Sequence, residues 1–313
     1  MIINNMSKIL YPLTFNPIVK NKIWGSELWM LSDVDGNESS VSNGELANDT
    51  VSDLLEVFLD DFIGEKVFSP SIKQFPILDK LISASSWLSV QVHPNDEMAK
   101  SLGHANGKSE IWYIVDAEPS SYIIAGFNRK LTPKEYIQHL ENNTLETVLN
   151  PIPVQKGDVI SLPAGLIHAL GPGILLAEIQ QTSDLTYRIY DWNRKDENGN
   201  SRELHTDLAA KAIDFDMRNV EMFSLPQNKD TEVPLFDYNW SKTKYIRLSQ
   251  TKQINYNDRD SFVILNFVDG KGEIIYGGQT LKYVKGSVIL VPAAMTEFTL
   301  CPETSTAFIE TYL

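Results

Sequence analysis

One punctuation pattern constrains this chain more than any other. In "KGDVISLPAGLIHAL" (156–170), Gly157 is followed by five strand-like residues, then Pro163, Gly165 and His168. In "KGSVILVPAAMTEFTL" (285–300), Gly286, Pro292, Ala293-Ala294 and Glu297 repeat the frame about 129 residues later. Glycine permits the turn into a strand, and proline stops a strand at an edge or corner. The next strand then starts within a few residues and points into a small barrel. Two such frames predict a duplicated β-barrel unit, the second copy carrying Glu297 where the first carries a histidine.

The rest of the chain agrees with that reading. Short β-rich runs such as "SSWLSVQVH", "EIWYIVD", "SYIIAGF", "GILLAEIQQ" and "LTYRIYDW" recur between turn residues. This spacing favours an all-β barrel or sandwich over a βαβ sheet. Three helices interrupt it. The run 50–68 places Leu54, Leu55, Phe58, Leu59 and Phe62 on one face. "TPKEYIQHLENN" opens with Thr132 as N-cap, Pro133 at the first helical position and Glu135 three residues after the cap. A third short helix is predicted over 203–215. The polar segment 224–239 reads as a connection, so a boundary is expected near 225–235, with domains at 1–228 and 229–313.

Composition limits the partners. The 313 residues carry a formal charge of −14, which disfavours nucleic acid or an anionic membrane as main partner. The single cysteine, Cys301, allows no internal disulfide and fits a reducing compartment. No apolar run reaches the roughly 18 residues of a membrane span. The N-terminal stretch lacks a signal-peptide pattern, so a cytoplasmic location is expected.

A metal site inside a barrel needs donors from several strands. Gln91 and His93, two apart, share one strand face, as does Ser89. Glu110 heads the next strong strand, with Lys108 two residues earlier on the same side, and His168 comes from the opening frame. Two imidazoles, a carboxylate and an amide oxygen form a mixed N/O set suited to zinc or another borderline divalent ion. Two neutral histidines, a neutral amide and one carboxylate leave the centre near +1, which favours an oxyanion. Glu178, Gln180 and Arg188 lie in buried-looking strands, where charge is costly unless paired or functional. His104 and His139 read as surface residues, and His205 is undecided.

The frame at Gly157 matches the second motif of the cupin family, without the asparagine that often follows its histidine. "FPILDKLISASSWLSVQVHPND", "GKSEIWYI", "GDVISLPAGLIHALGPGILLAEIQQTSDLTYRIYDW" and "NKIWG" resemble type I mannose-6-phosphate isomerases in their short bacterial form. The resemblance implies a mainly β protein of two cupin-type jelly-roll barrels with small helical insertions, the second barrel free of metal. It implies one zinc per chain and the interconversion of mannose 6-phosphate and fructose 6-phosphate. The family's ligands carry over onto Gln91, His93, Glu110 and His168, its catalytic arginine onto Arg188, its active-site serine and lysine onto Ser89 and Lys108, and its strand carboxylate onto Glu178. Gly25-Ser26 stands where the family often has two glycines, and "ENGNSRELH" departs from its usual basic-proline version. On this reading Glu178 takes the C2 proton, with a metal-bound hydroxide or a lysine as alternatives. Arg188 stabilises charge, and Ser89 with Lys108 holds the phosphate. A non-enzymatic sugar-binding double cupin, or another metal-dependent cupin enzyme, are the competing readings.

Overall fold

The computed structural model describes residues 10–69, 72–195, 198–217 and 220–313. Of the N-terminal stretch read for a leader, residues 1–9 lie outside them. The strand pairings between residues 77 and 313 are antiparallel. The described residues form two compact units, one within 19–29 and 77–225, the other within 10–18, 30–76 and 226–313.

In the first unit a seven-stranded sheet runs in the order Ile18–Lys22, Gly25–Leu31, Ile77–Ala84, Ile174–Gln181, Glu110–Ala117, Asp158–Leu162, Met222–Ser224. A five-stranded sheet runs Tyr187–Tyr190, Val90–Val92, His168–Leu170, Tyr122–Phe127, Leu149–Pro153. Their inner faces share one apolar core that includes Ile82, Trp112, Ile160 and Leu176 from one sheet and Ile123, Ala125 and Leu170 from the other. The outer face of the smaller sheet buries Val90, Val92, Ile124 and Ile189 against Tyr136 and Ala209 of two short helices. Those helices are Pro133–Glu141, opened by the expected Thr132–Glu135 capping box, and Thr206–Ala212, shorter than predicted.

The second unit repeats the plan. Five strands run Thr231–Tyr238, Ser241–Leu248, Thr306–Tyr312, Val263–Asp269, Val288–Val291, and four run Lys252–Asn255, Glu297–Pro302, Lys271–Tyr276, Gln279–Val284. Leu265, Phe267, Ile289, Phe298, Leu300 and Phe308 fill the space between. Both Gly–Pro frames fold as read. Gly157 and Gly286 take φ of 91° and 90°, each prolines' strand ends there, and His168 and Glu297 open the next strands.

The expected cut at 228/229 needs correcting for the N-terminal residues. The helix Val51–Ile63 belongs with the second unit because its C-terminal carbonyls need donors. Backbone N–H groups of Ala294, Ala293 and Phe262 supply them, donating to Asp61, Phe62 and Ile63 at 2.9, 3.1 and 3.2 Å. Its apolar stripe also differs from expectation. Leu59 takes φ 50° and ψ −122°, which kinks the helix and turns that side chain outward, while Val51, Leu54, Leu55, Phe62 and Ile63 are buried.

Candidate metal centre

The register of the two sheets decides who meets whom. On the smaller sheet His168 stands opposite Gln91, and Gln91 opposite Arg188, so the three lie in one row on one face. His93 follows the same strand by one residue, and Gly165 N–H donates to its carbonyl at 2.9 Å. On the larger sheet Glu110 opens its strand opposite Leu162 and Gln180. The loop before it is pinned: the Asp96 carboxylate accepts from Gly107 N–H at 2.8 Å and from the Gln181 amide at 2.9 Å. Gly107 is needed there, since a Cβ would meet the backbone of Asn95 at 2.5 Å.

These elements bring His93, Glu110 and His168 together with their ligand atoms within 4.8 Å of one another. Each is about 1% exposed. His93 Nε2 lies 3.1 Å from Glu110 Oε1, and His168 Nε2 lies 3.8 Å from Oε2. The other ring nitrogens are committed. His93 Nδ1 donates to the Leu185 carbonyl at 2.8 Å, and His168 Nδ1 to that of Leu166 at 2.9 Å. Both Nε2 lone pairs therefore converge on Glu110, the tautomer a metal ligand requires. The Gln91 amide is 3.3 Å from His168 Nε2, and turning it over presents Oε1 to the same point.

Lys108 Nζ sits among these groups, 2.8 Å from Glu110 Oε1 and 3.3 Å from His93 Nε2. Burial opposes the charge of Glu110, but the neighbouring Lys108 outweighs it and holds the carboxyl well below its usual range. Burial, reinforced by Lys108, pushes His93 down to about 3, and burial likewise lowers His168. Both imidazoles are neutral at neutral pH. Among the described residues, buried Glu110 Oε1 has the ion-pair contact with Lys108 but no donor in hydrogen-bonding geometry. Neutral nitrogens, an ionised carboxylate and an oxygen with unused lone pairs fit a divalent cation such as zinc.

Glu178 lies one row deeper, its oxygens on Lys80 Nζ at 2.9 Å and Trp112 Nε1 at 2.8 Å. Burial first, and then the Glu110 charge, raise its carboxyl. Arg188 is half-buried; one terminal nitrogen donates to the Glu203 carbonyl at 2.7 Å, and its buried Nε has no partner among the described residues. Ser89 is buried just before the Gln91 strand. His205 accepts the Arg188 backbone N–H at 3.1 Å, so it shapes the arginine's strand. His104 is exposed and His139 is half-buried at the end of its helix, both away from the cluster of His93, Glu110 and His168. Sequence reasoning missed Lys80 and Trp112. A period-two reading of residues 77–84 and 110–117 would have placed both on inward faces, but only register supplies their partners.

Residues 10–118 match the family model described as phosphomannose isomerase type I, catalytic domain, and residues 244–311 that of the mannose-6-phosphate isomerase cupin domain. Mannose-6-phosphate isomerase ManA of Bacillus subtilis is 32% identical over 92% of this chain and 95% of its own length. A crystal structure of the mannose 6-phosphate isomerase from Bacillus subtilis superposes with a TM-score of 0.85 at 26% identity, covering 96% of this chain and 99% of that one. A zinc-bound mannose 6-phosphate isomerase shares the fold at a TM-score of 0.71 and 15% identity, covering 96% and 99%.

Proposed function

The chain belongs to the type I mannose-6-phosphate isomerase family, and from that premise we propose that it is a zinc-dependent aldose–ketose isomerase interconverting mannose 6-phosphate and fructose 6-phosphate through a cis-enediol. The observation that carries the proposal is the convergence of two Nε2 lone pairs and the Glu110 carboxylate beside a buried lysine. Gln91, His93, Glu110 and His168 would hold the zinc. Bound there, zinc supplies a Lewis acid for the O1/O2 pair of the open-chain sugar.

The remaining chemistry falls to the chain's own side chains. The reaction moves a proton between C2 and C1, so one group must take it and give it back. Both oxygens of Glu178 are committed to Lys80 and Trp112, and the role of base would require it to release one. Lys108 reaches the space between His93 and Glu110, and zinc bound by Glu110 would take over its ion-pair partner and release its amine. We therefore assign the substrate-facing proton transfers to Lys108, the lysine alternative among the sequence readings. Glu178 keeps Lys80 and Trp112 in place behind it.

Arg188 shares the row of Gln91 and His168, and its buried Nε has no partner among the described residues, which suits it to charge developing on the sugar oxygens. Ser89 alone, rather than together with Lys108, is assigned to the phosphate. On a chain of charge −14 these cations also provide the local attraction an anionic substrate needs.

Mannose 6-phosphate incubated with the zinc-loaded protein in heavy water tests the reading by NMR. Fructose 6-phosphate forms, with deuterium entering at C1 as the enediol exchanges its proton with the base. Full zinc occupancy without any fructose 6-phosphate would overturn it.

A further inference from the structure

A closed ring of contacts runs behind the metal-binding side chains. The indole Nε1 of Trp112 donates to Glu110 Oε2 at 3.0 Å and to Glu178 Oε2 at 2.8 Å, so one N–H joins the two carboxylates. Glu178 Oε1 is 2.9 Å from Lys80 Nζ, which also donates to Gln180 Oε1 at 2.6 Å. The Gln180 amide then donates to the carbonyls of Gln181 and Ser183, both at 2.8 Å. Two residues on, the Leu185 carbonyl accepts from His93 Nδ1. The path leaves one metal ligand, Glu110, and returns to another, His93. Every side chain along it is buried.

The second barrel serves as an internal control. Ile160 stands opposite Trp112 in the first barrel, and Ile289, at the same place in the second Gly–Pro frame, stands opposite Leu265. The same register matches Glu178 with Glu310 and Lys80 with Lys244. The lysine–glutamate pair is therefore present in both barrels, with Lys244 Nζ 3.2 Å from Glu310. Around it everything else differs. Leu265 replaces Trp112, Tyr312 replaces Gln180, and Val263 stands in the place of Glu110. Asn255 and Glu297 take the places of Gln91 and His168. Glu310 instead takes Tyr256 OH at 2.5 Å and Arg259 at 2.6 Å. The pair belongs to the barrel plan, whereas the indole bridge and the amide tie occur only where the ligands occur.

We propose that Trp112 and Gln180 are positioning residues of the metal centre, adapting a lysine–glutamate pair shared by both barrels to fix the carboxylate of Glu110 and, through the 181–185 loop, the ring of His93. The inference rests on the zinc reading above and deepens it. The indole N–H restricts Glu110 Oε2 to one direction, leaving Oε1 for the cation. Partners of this kind behind metal ligands are commonly worth 10–100-fold in affinity or activity.

The test compares Trp112→Phe, which keeps a ring but removes the donor, with Gln180→Met, which cuts the tie to the loop. Zinc affinity is read by competition with a chromophoric chelator, and ligand geometry by visible absorption after cobalt substitution. Steady-state kinetics on the zinc-loaded proteins complete the set. Both variants bind zinc about 10–100-fold more weakly, show an altered cobalt spectrum, and lose kcat with little change in KM. Gln180→Met carries the test if Trp112→Phe is too unstable to purify. Wild-type zinc affinity and cobalt spectrum in correctly folded variants would overturn the positioning role. Failure of the wild-type protein to bind zinc would instead overturn the metal reading on which it stands.

Discussion

Lys108 and Glu110, two residues apart, show how much one strand end can carry. Glu110 is held ionised chiefly by Lys108 against the cost of burial, and the lysine is aimed at the same point as the histidine lone pairs. Lys108→Met is expected to lower kcat by about 10²–10⁴-fold while zinc stays bound, because the metal replaces the lysine as partner of Glu110. Metal analysis beside initial rates checks both halves. Gly107→Ala is expected to impair both zinc binding and rate, since the clash with the Asn95 backbone displaces the loop carrying Lys108; the same two measurements report it. At this scale the meeting of His93, Glu110 and His168 was legible, because His93 and Glu110 stand at inward strand ends and His168 marks the frame that differs from its twin. Lys80 and Trp112 were not. An inward lysine and a strand tryptophan read as ordinary packing until register sets Lys80 beside Glu178, 98 residues away.

Helices and strands were legible where local chemistry fixes them. Thr132 forms the expected capping box with Glu135, and Thr50 forms a second with Asp53 that the sequence reading did not name. Thr50→Ala should cost about 1 kcal/mol of stability, read from the urea midpoint. The kink at Leu59 was not legible, since an i, i+3, i+4 pattern assumes continuous helical φ and ψ. A leucine at φ 50° is strained, so Leu59→Gly should be neutral or stabilising by up to about 1 kcal/mol. In an unbroken helix the same change would cost about that much, and thermal unfolding distinguishes the two. The placement of the Val51–Ile63 helix with the second barrel was beyond sequence reading for a related reason. Its carbonyls find donors some 200 residues further on, at Phe262, Ala293 and Ala294.

For the molecule as a whole, the two neutral buried histidines couple stability to pH. Burial, with Lys108 adding to it, puts His93 at about 3 in the folded state against about 6.5 unfolded. Between those values the unfolded chain binds the extra proton. The contribution is thus fully present above about pH 6.5 and is lost progressively as pH falls toward 3. Zinc-free protein should be about 2 kcal/mol less stable at pH 5 than at pH 7.5 from His93 alone, seen in urea melts at the two values. His168, lowered in the same direction, adds to the loss.

The central claim is that this buried cluster is a zinc site and that the zinc is needed for isomerisation. The most direct measurement couples formation of fructose 6-phosphate from mannose 6-phosphate to a spectrophotometric readout. It is made on protein as purified, after chelation, and after zinc is returned. Activity should disappear with the metal, return with one zinc per chain, and fail to return in His93→Ala. Full activity in protein shown to be free of metal, or undiminished rescue in His93→Ala, would contradict the account.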